Sequence, residues 1–322
     1  MNPSRNDDNA ARWHRSLLFA ASGFTFVLIT LGGLVCVTQS ARGCPDWPGC
    51  FGQPIPPAQT AAVIEYFHRL VAALTSPLIL VAASIGWRKF WSVRWLSRPP
   101  VLAIPFLIAV IIFGMLAVTR GIPSSVSAVD LGSALIVLAL ILIATIVAFS
   151  RRANPDLPDR LAFTSPFSKL TLWAVGAVFV VTVSSVLVAD AGSTSRCLGW
   201  PLYNEPTALV SLSDWYKVTR HLIAGIAGLL IVALVVQAWR TRRSQKGTMR
   251  ATAALGILFV VEIAAGLLIV SVTDAVALRE LYAAIAAAIW ASVVVLAVHV
   301  GITDAATAEE RVVNMRATKS AV

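Results

Sequence analysis

Apolar runs of membrane length, separated by short polar stretches, organise the whole chain. They fall near Leu17–Gln39, Ala61–Gly86, Val101–Thr119, Val129–Phe149, Lys169–Ala189, Trp215–Ala238, Ala251–Ser271 and Leu278–Val300. A hydrocarbon layer about 30 Å thick takes about 20 helical residues to cross, so each run predicts one transmembrane helix. Lipid offers backbone groups no partner, which leaves helices and closed barrels as the crossing structures, and these runs are too long for barrel strands. The pattern predicts an all-α transmembrane fold of eight helices. The first run is long and lacks a small-residue cleavage site before the next polar stretch, so it reads as the first helix and not as a cleaved leader.

Composition strengthens this reading. The 322 residues are 57% hydrophobic and 13% charged, where soluble domains carry about 25% charge. Charge then supplies an orientation. The stretches 1–16, 87–100, 150–169, 239–250 and 301–322 hold 19 of the 26 Lys and Arg, and the alternate loops hold only Arg42, Arg120 and Arg196. The positive-inside rule puts both termini in the cytoplasm. The net charge of +10 is accounted for by topology, and no nucleic-acid partner is needed to explain it. The expected location is the plasma membrane, multi-pass.

A shift of 153 positions lays Cys44 on Cys197, Trp47 on Trp200, Pro48 on Pro201 and His68 on His221, and a shift of 152 lays Gly114 on Gly266. The chain therefore reads as two tandem four-helix repeats, 17–149 and 169–300, joined by a cytoplasmic linker, 150–168, that contains "SRRANPDLPDR". Both halves start from the cytoplasm, which makes this a parallel repeat about an axis along the membrane normal.

The loop "ARGCPDWPGCFGQPIPP", residues 41–57, falls on the outer side, where disulfides persist. Five residues separate Cys44 from Cys50, and Pro45 and Pro48 stiffen the chain between them. A Cys44–Cys50 disulfide is expected, the alternative being two free thiols. Cys36, inside the first helix, reads as a small packing residue. Cys197 has Tyr203 where a ring partner would be, so it reads as an unpaired remnant, with pairing between chains as the alternative.

Ionisable residues within spans are costly and point to function. His68 and His221 are the repeat-related histidines, each about two turns into an even-numbered helix. Either could ligate haem iron through one ring nitrogen or hydrogen-bond a neighbouring helix. Glu65 shares a face with His68 and could relay protons or simply touch water at the interface. His14 and His299 lie at the cytoplasmic ends, where snorkelling accounts for them.

The segment "GLVCVTQSARGCPDWPGCFGQPIPP", followed by "IEYFHRLVAAL", resembles the first half of the haem A synthases. These are multi-pass enzymes of the cytochrome-oxidase assembly route, with a CPDWP-type cysteine loop and a following E-x-x-H-R helix. The resemblance implies oxidation of the C8 methyl of haem O to a formyl group. It implies haem O as substrate in the first half, haem b as cofactor in the second, and functional roles for Cys44, Cys50 and Glu65. Haem O synthase and cytochrome oxidase assembly proteins are the partners it suggests, besides haem and membrane lipid, with a homo-oligomer left open.

The sequence also departs from that family. Each half of a haem A synthase supplies two histidines, the second near the outer start of its fourth helix. Here "SAVDLGSALIVL" and "AVALRELYAAIAA" place Asp130 and Arg279 at those points, and Arg220 precedes His221 where an arginine should follow. Each half is left with one axial histidine, so haem would be five-coordinate, otherwise ligated, or absent. Glu262, deep in the seventh span, is expected either to pair with Arg279 or to stand protonated and alone. Two further readings stand beside a synthase: a haem-binding or haem-transfer protein of the same fold, and a cofactor-free transporter or assembly factor.

Overall fold

A computed structural model describes residues 3–188, 197–201, 212–272 and 276–320. Tyr203 lies outside the described residues, so its expected place opposite Cys197 is not addressed.

Eight helices account for nearly all of what is described: α1 (Pro3–Val37), α2 (Thr60–Lys89), α3 (Arg94–Thr119), α4 (Ser124–Ala153), α5 (Pro166–Val188), α6 (Leu212–Thr241), α7 (Lys246–Ser271) and α8 (Val276–Ser320). Each contains a stretch long and apolar enough to cross a membrane, as the hydropathy pattern predicts. α1 and α8 run well past their predicted ends at the terminal face of the bundle. Prolines inside α2 (Pro77) and α3 (Pro99, Pro100, Pro105) are accommodated, as packed transmembrane helices allow.

Two helix starts are capped from afar. Asp159, in the connection between α4 and α5, accepts the Arg94 backbone N–H at 2.7 Å at the head of α3. Asp304 of α8 accepts the Thr164 and Ser165 N–H groups at 3.2 and 2.9 Å and also the Arg242 guanidinium at 3.2 Å. Negative charge suits these positive helix ends, and both caps tie separate elements together at the terminal face. Ser165 adds a local cap through its hydroxyl to the Ser168 N–H at 3.2 Å, with Pro166 at the first helical position.

In the first four helices, α1 neighbours α2, α2 neighbours α3, α3 neighbours α4, and α4 returns to α1; the last four repeat that order from α5 to α8. The two groups meet along α1, α4, α5 and α8. Small residues and hydroxyls let these helices approach closely: Ser22 and Thr145 hydrogen-bond at 2.9 Å between α1 and α4, and Trp290 of α8 donates to the Leu135 carbonyl of α4 at 3.0 Å.

Candidate functional site

Between α1 and α2 the chain makes a short 3₁₀ turn (Ser40–Arg42) and then the cysteine loop. Gly43 passes so close to α2 that a Cβ there would overlap the Ala61 carbonyl, which is why glycine stands at this point. Cys44 and Cys50 form a disulfide, Cα–Cα 4.6 Å, with both residues fully buried beside Ala62. The expected ring is present. Within it the Asp46 carboxylate accepts the Phe51 and Gly52 N–H groups. These bonds, the Gly52 one foremost, hold the Asp46 carboxyl below the usual range.

Arg69 joins this loop to α2. Its Nε donates to Glu65 Oε1 at 2.9 Å, and its remaining donors reach the carbonyls of Cys44, Asp46 and Gly49. A guanidinium fork is the side chain able to serve a carboxylate and three carbonyls at once. Glu65 is thereby a buried carboxylate with a fixed partner, 5% exposed.

The other two cysteines correct the sequence reading. Cys36 and Cys197 form a second disulfide, Cα–Cα 5.7 Å. Cys36 is therefore not a mere packing residue, and Cys197 is neither an unpaired remnant nor a partner for another chain. The pair is 161 residues apart, and only the meeting of α1 with the segment after α5 brings the thiols together.

The interior of each four-helix group can be followed level by level. Ala21, Ile79, Ala103 and Ile141, one from each of α1 to α4, are fully buried in one cluster. Ala174, Ile231, Leu255 and Val293 of α5 to α8 are the corresponding buried set in the other group. Eleven residues make about three helical turns and return to the same face about 16 Å along the axis. Eleven residues toward the disulfide end, the first group presents Gly32, His68, Gly114 and Asp130, and the second presents Ser185, Arg220, Gly266 and Tyr282. Packing thus pairs His68 with Arg220. His221, matched to His68 by the 153-residue shift, stands one position round the helix, half-buried, its Nδ1–H donating to the Lys217 carbonyl at 2.8 Å.

The two levels differ in what fills them. In the first group, a Cβ on Gly32 would meet the His68 ring at 3.5 Å, and one on Gly114 would meet nothing within 4 Å. His68 Nδ1 and Asp130 Oδ1 are buried without a hydrogen-bond partner among the described residues. In the second group, Ser185, Arg220 and Tyr282 are all buried. The Tyr282 ring covers Gly266, a Cβ there falling 3.2 Å from it, and Arg220 donates to the Gly199 carbonyl at 2.9 Å.

The proposed pairing of Glu262 with Arg279 is not found. Both Glu262 oxygens are buried without a hydrogen-bond partner, and the ion pairs among the described residues are Glu65–Arg69 and Arg242–Asp304. Glu262 lies nine residues inside the end of α7, too deep for a side chain at the start of α8. Nor does Arg279 hold the inward position at the start of α8. Tyr282 does, and Glu280, missed in the sequence, abuts Gly33 of α1 with Oε2 buried and unpartnered. An acid within the first turns of an apolar run was the available signal. His14 does not snorkel either: it is buried, stacks on Phe90 and donates to the Ala82 carbonyl at 3.0 Å.

No group of three or more His, Cys, Asp or Glu converges as a metal centre among the described residues. A haem asks less of the protein: one imidazole and space for a flat macrocycle. At its level the first group offers the His68 ring, its Nδ1 without a hydrogen-bond partner, and two glycines. The second group does not meet that requirement at the matching level, because Arg220 and Tyr282 fill that space.

Comparison with known proteins agrees with the family resemblance read from the loop and α2. A family model described as cytochrome oxidase assembly protein matches residues 15–295. The haem A synthase of Halalkalibacterium halodurans is 31% identical over 239 residues, 71% of this chain and 78% of that protein. That of Geobacillus thermodenitrificans is 32% identical over 238 residues, covering 72% and 74%. That of Alkalihalophilus pseudofirmus is 28% identical over 268 residues, covering 80% and 88%.

Proposed function

Because this chain belongs to the cytochrome oxidase assembly protein family, we propose that it is a haem A synthase, oxidising the C8 methyl of haem O to a formyl group within the membrane. It is a multi-pass membrane protein, which in a bacterium means the plasma membrane. The observation that carries the reading is His68: an unpartnered, buried imidazole nitrogen at a level where α1 and α3 contribute glycines. A porphyrin substrate bound there gives the imidazole an iron to ligate, and the glycines leave its ring room.

The neighbouring residues have distinct tasks. Methyl oxidation releases protons that must leave an apolar interior, and Glu65, one turn from His68, is the carboxylate on the way to the cysteine loop. Arg69 fixes the Glu65 carboxyl in place and keeps the Cys44–Cys50 ring over the end of α2. His221 is proposed as the second-half iron ligand, its Nδ1–H on the Lys217 carbonyl in the manner of an oriented metal ligand. The haem b implied by resemblance depends on it. The filled level beside it favours tighter haem binding in the first group.

The halves 17–149 and 169–300 are read as duplicates, supported by their matching order of helix neighbours. Cytoplasmic termini and a cytoplasmic 150–168 linker are supported by the distribution of Lys and Arg. Arg220 and Tyr282 also favour a second reading, a protein that binds haem in the first half and passes it on unoxidised. Expression with a haem O supply, followed by mass analysis of extracted haems, separates the two. Formyl or hydroxymethyl haem that disappears in Glu65→Gln and His68→Ala supports the synthase. Haem O recovered unchanged from a protein that binds it through His68 supports the carrier.

A further inference from the structure

Each half has an arginine that holds a loop carbonyl. Arg69 of α2 donates to the Asp46 carbonyl at 2.6 Å, and Arg220 of α6 donates to the Gly199 carbonyl at 2.9 Å. Asp46 and Gly199 are 153 residues apart, the shift that also relates Cys44 to Cys197 and Trp47 to Trp200. The arginines break that shift, since Arg69 would fall on Leu222, which is 64% exposed. Arg220 reaches the equivalent carbonyl from one residue before His221, where Arg69 follows His68.

What the two arginines hold differs in depth. The first-half loop packs on α2, with Cys44 and Cys50 buried against Ala62 and Tyr66, and its Trp47 is 42% exposed. The second-half segment, residues 197–201, enters the core. Leu198 and Trp200 belong to the buried cluster of α5 to α8. A Cβ on Gly199 would stand 2.8 Å from the Ala286 Cβ of α8 and 4.0 Å from Thr182 of α5. The Trp200 ring lies 5.6 Å from that of Phe259 on α7. With Arg220 on α6, these contacts reach all four helices, which a segment inside the group can do and one resting on its surface cannot. Gly199 has φ +70°, a conformation that favours glycine, and Cys197 is tied to α1 by its disulfide.

Resting on the reading of His221 as a second-half iron ligand, we infer that Arg220 is a positioning residue: it seats residues 197–201 as a strap in the second-group interior, and the strap governs whether a porphyrin enters there. The seated strap and a flat macrocycle compete for one space. The affinity of the second half for porphyrin is therefore lowered by the fraction of molecules whose strap is seated. The first half, with its loop packed on α2, has no such competitor.

The test uses the full-length protein in detergent, with amide exchange of the peptide spanning 197–201 read by mass spectrometry and ferric protoporphyrin IX titrated in parallel. Wild type should protect this peptide. Gly199→Ala drives a methyl group against Ala286 in a conformation that alanine resists, with Arg220 untouched. Arg220→Gln removes the bond to the strap carbonyl. Both should speed exchange about tenfold and tighten the weaker porphyrin site about tenfold, and His221→Ala should abolish that site. Arg220→Lys should keep the strap seated, because one ammonium N–H serves one carbonyl. Gly199→Ala carries the test if Arg220→Gln fails to fold. An unprotected wild-type peptide, or protection unchanged in both Gly199→Ala and Arg220→Gln, overturns the strap. Faster exchange with the weaker site unchanged overturns its control of entry. Absence of any His221-dependent porphyrin site in wild type and both variants overturns the His221 reading and the control of entry with it, while exchange still decides whether Arg220 seats the strap.

Discussion

Arg69 and Glu65 are joined at 2.9 Å one helical turn apart, and the same guanidinium carries three loop carbonyls across a gap of 20 to 25 residues in sequence. The ion pair is therefore a latch for the cysteine loop. Arg69→Ala should lower stability by about 3–5 kcal/mol, since it leaves a buried carboxylate uncompensated. Arg69→Lys should recover only part of this, because an ammonium lacks the planar fork. Thermal denaturation in detergent measures both; equal stability of wild type and Arg69→Ala would show that the latch contributes nothing.

Cys36–Cys197 makes the two four-helix groups one covalent unit at the end away from the 150–168 connection. After proteolytic nicking within that connection, the fragments should migrate together on a gel without reductant and separate with it. Cys36→Ser should separate them under both conditions and cost about 2–4 kcal/mol of stability. Separation of wild-type fragments without reductant would disprove the crosslink.

Glu262 is expected to be a liability in the absence of a bound group. Replacing it with Leu or Met removes a buried acid with no hydrogen-bond partner and should raise the melting temperature, by about 1–3 kcal/mol of stability. A fall in stability would mean that the carboxyl is engaged in the folded protein.

Haem content distinguishes the two halves. Tyr282 over Gly266 and the buried Arg220 crowd the second-half level, so titration with ferric protoporphyrin IX should show two unequal sites, the tighter one lost in His68→Ala. Loss of the tighter site on replacing His221 and not His68 would overturn that expectation.

Asp46 gives the loop a defined acid sensitivity. Its carboxyl is held below the usual value by backbone N–H groups, so its contribution is present above the unfolded value, near 4, and lost as pH falls through the lower folded one. Reduction of Cys44–Cys50 by a phosphine reductant should accelerate below about pH 4 in wild type. Asp46→Asn should be reduced faster at neutral pH and show little further change on acidification.

Hydropathy alone determined the eight helices, because spanning length and backbone self-satisfaction in lipid admit few alternatives. The Cys44–Cys50 ring was also legible, since five intervening residues keep its ends close whatever the surrounding fold. His68 and Glu65 stood out as ionisable groups within an apolar run. The Cys36–Cys197 bond was not legible, because no local rule relates thiols 161 residues apart. The level of each side chain was equally hidden. A gap-free shift of 153 pairs His68 with His221, but a displacement of one residue turns a helix by about 100°, and packing sets Arg220 at that level instead. Which residues of the four helices share one level depended on how their buried faces align, and that is a property of tertiary packing.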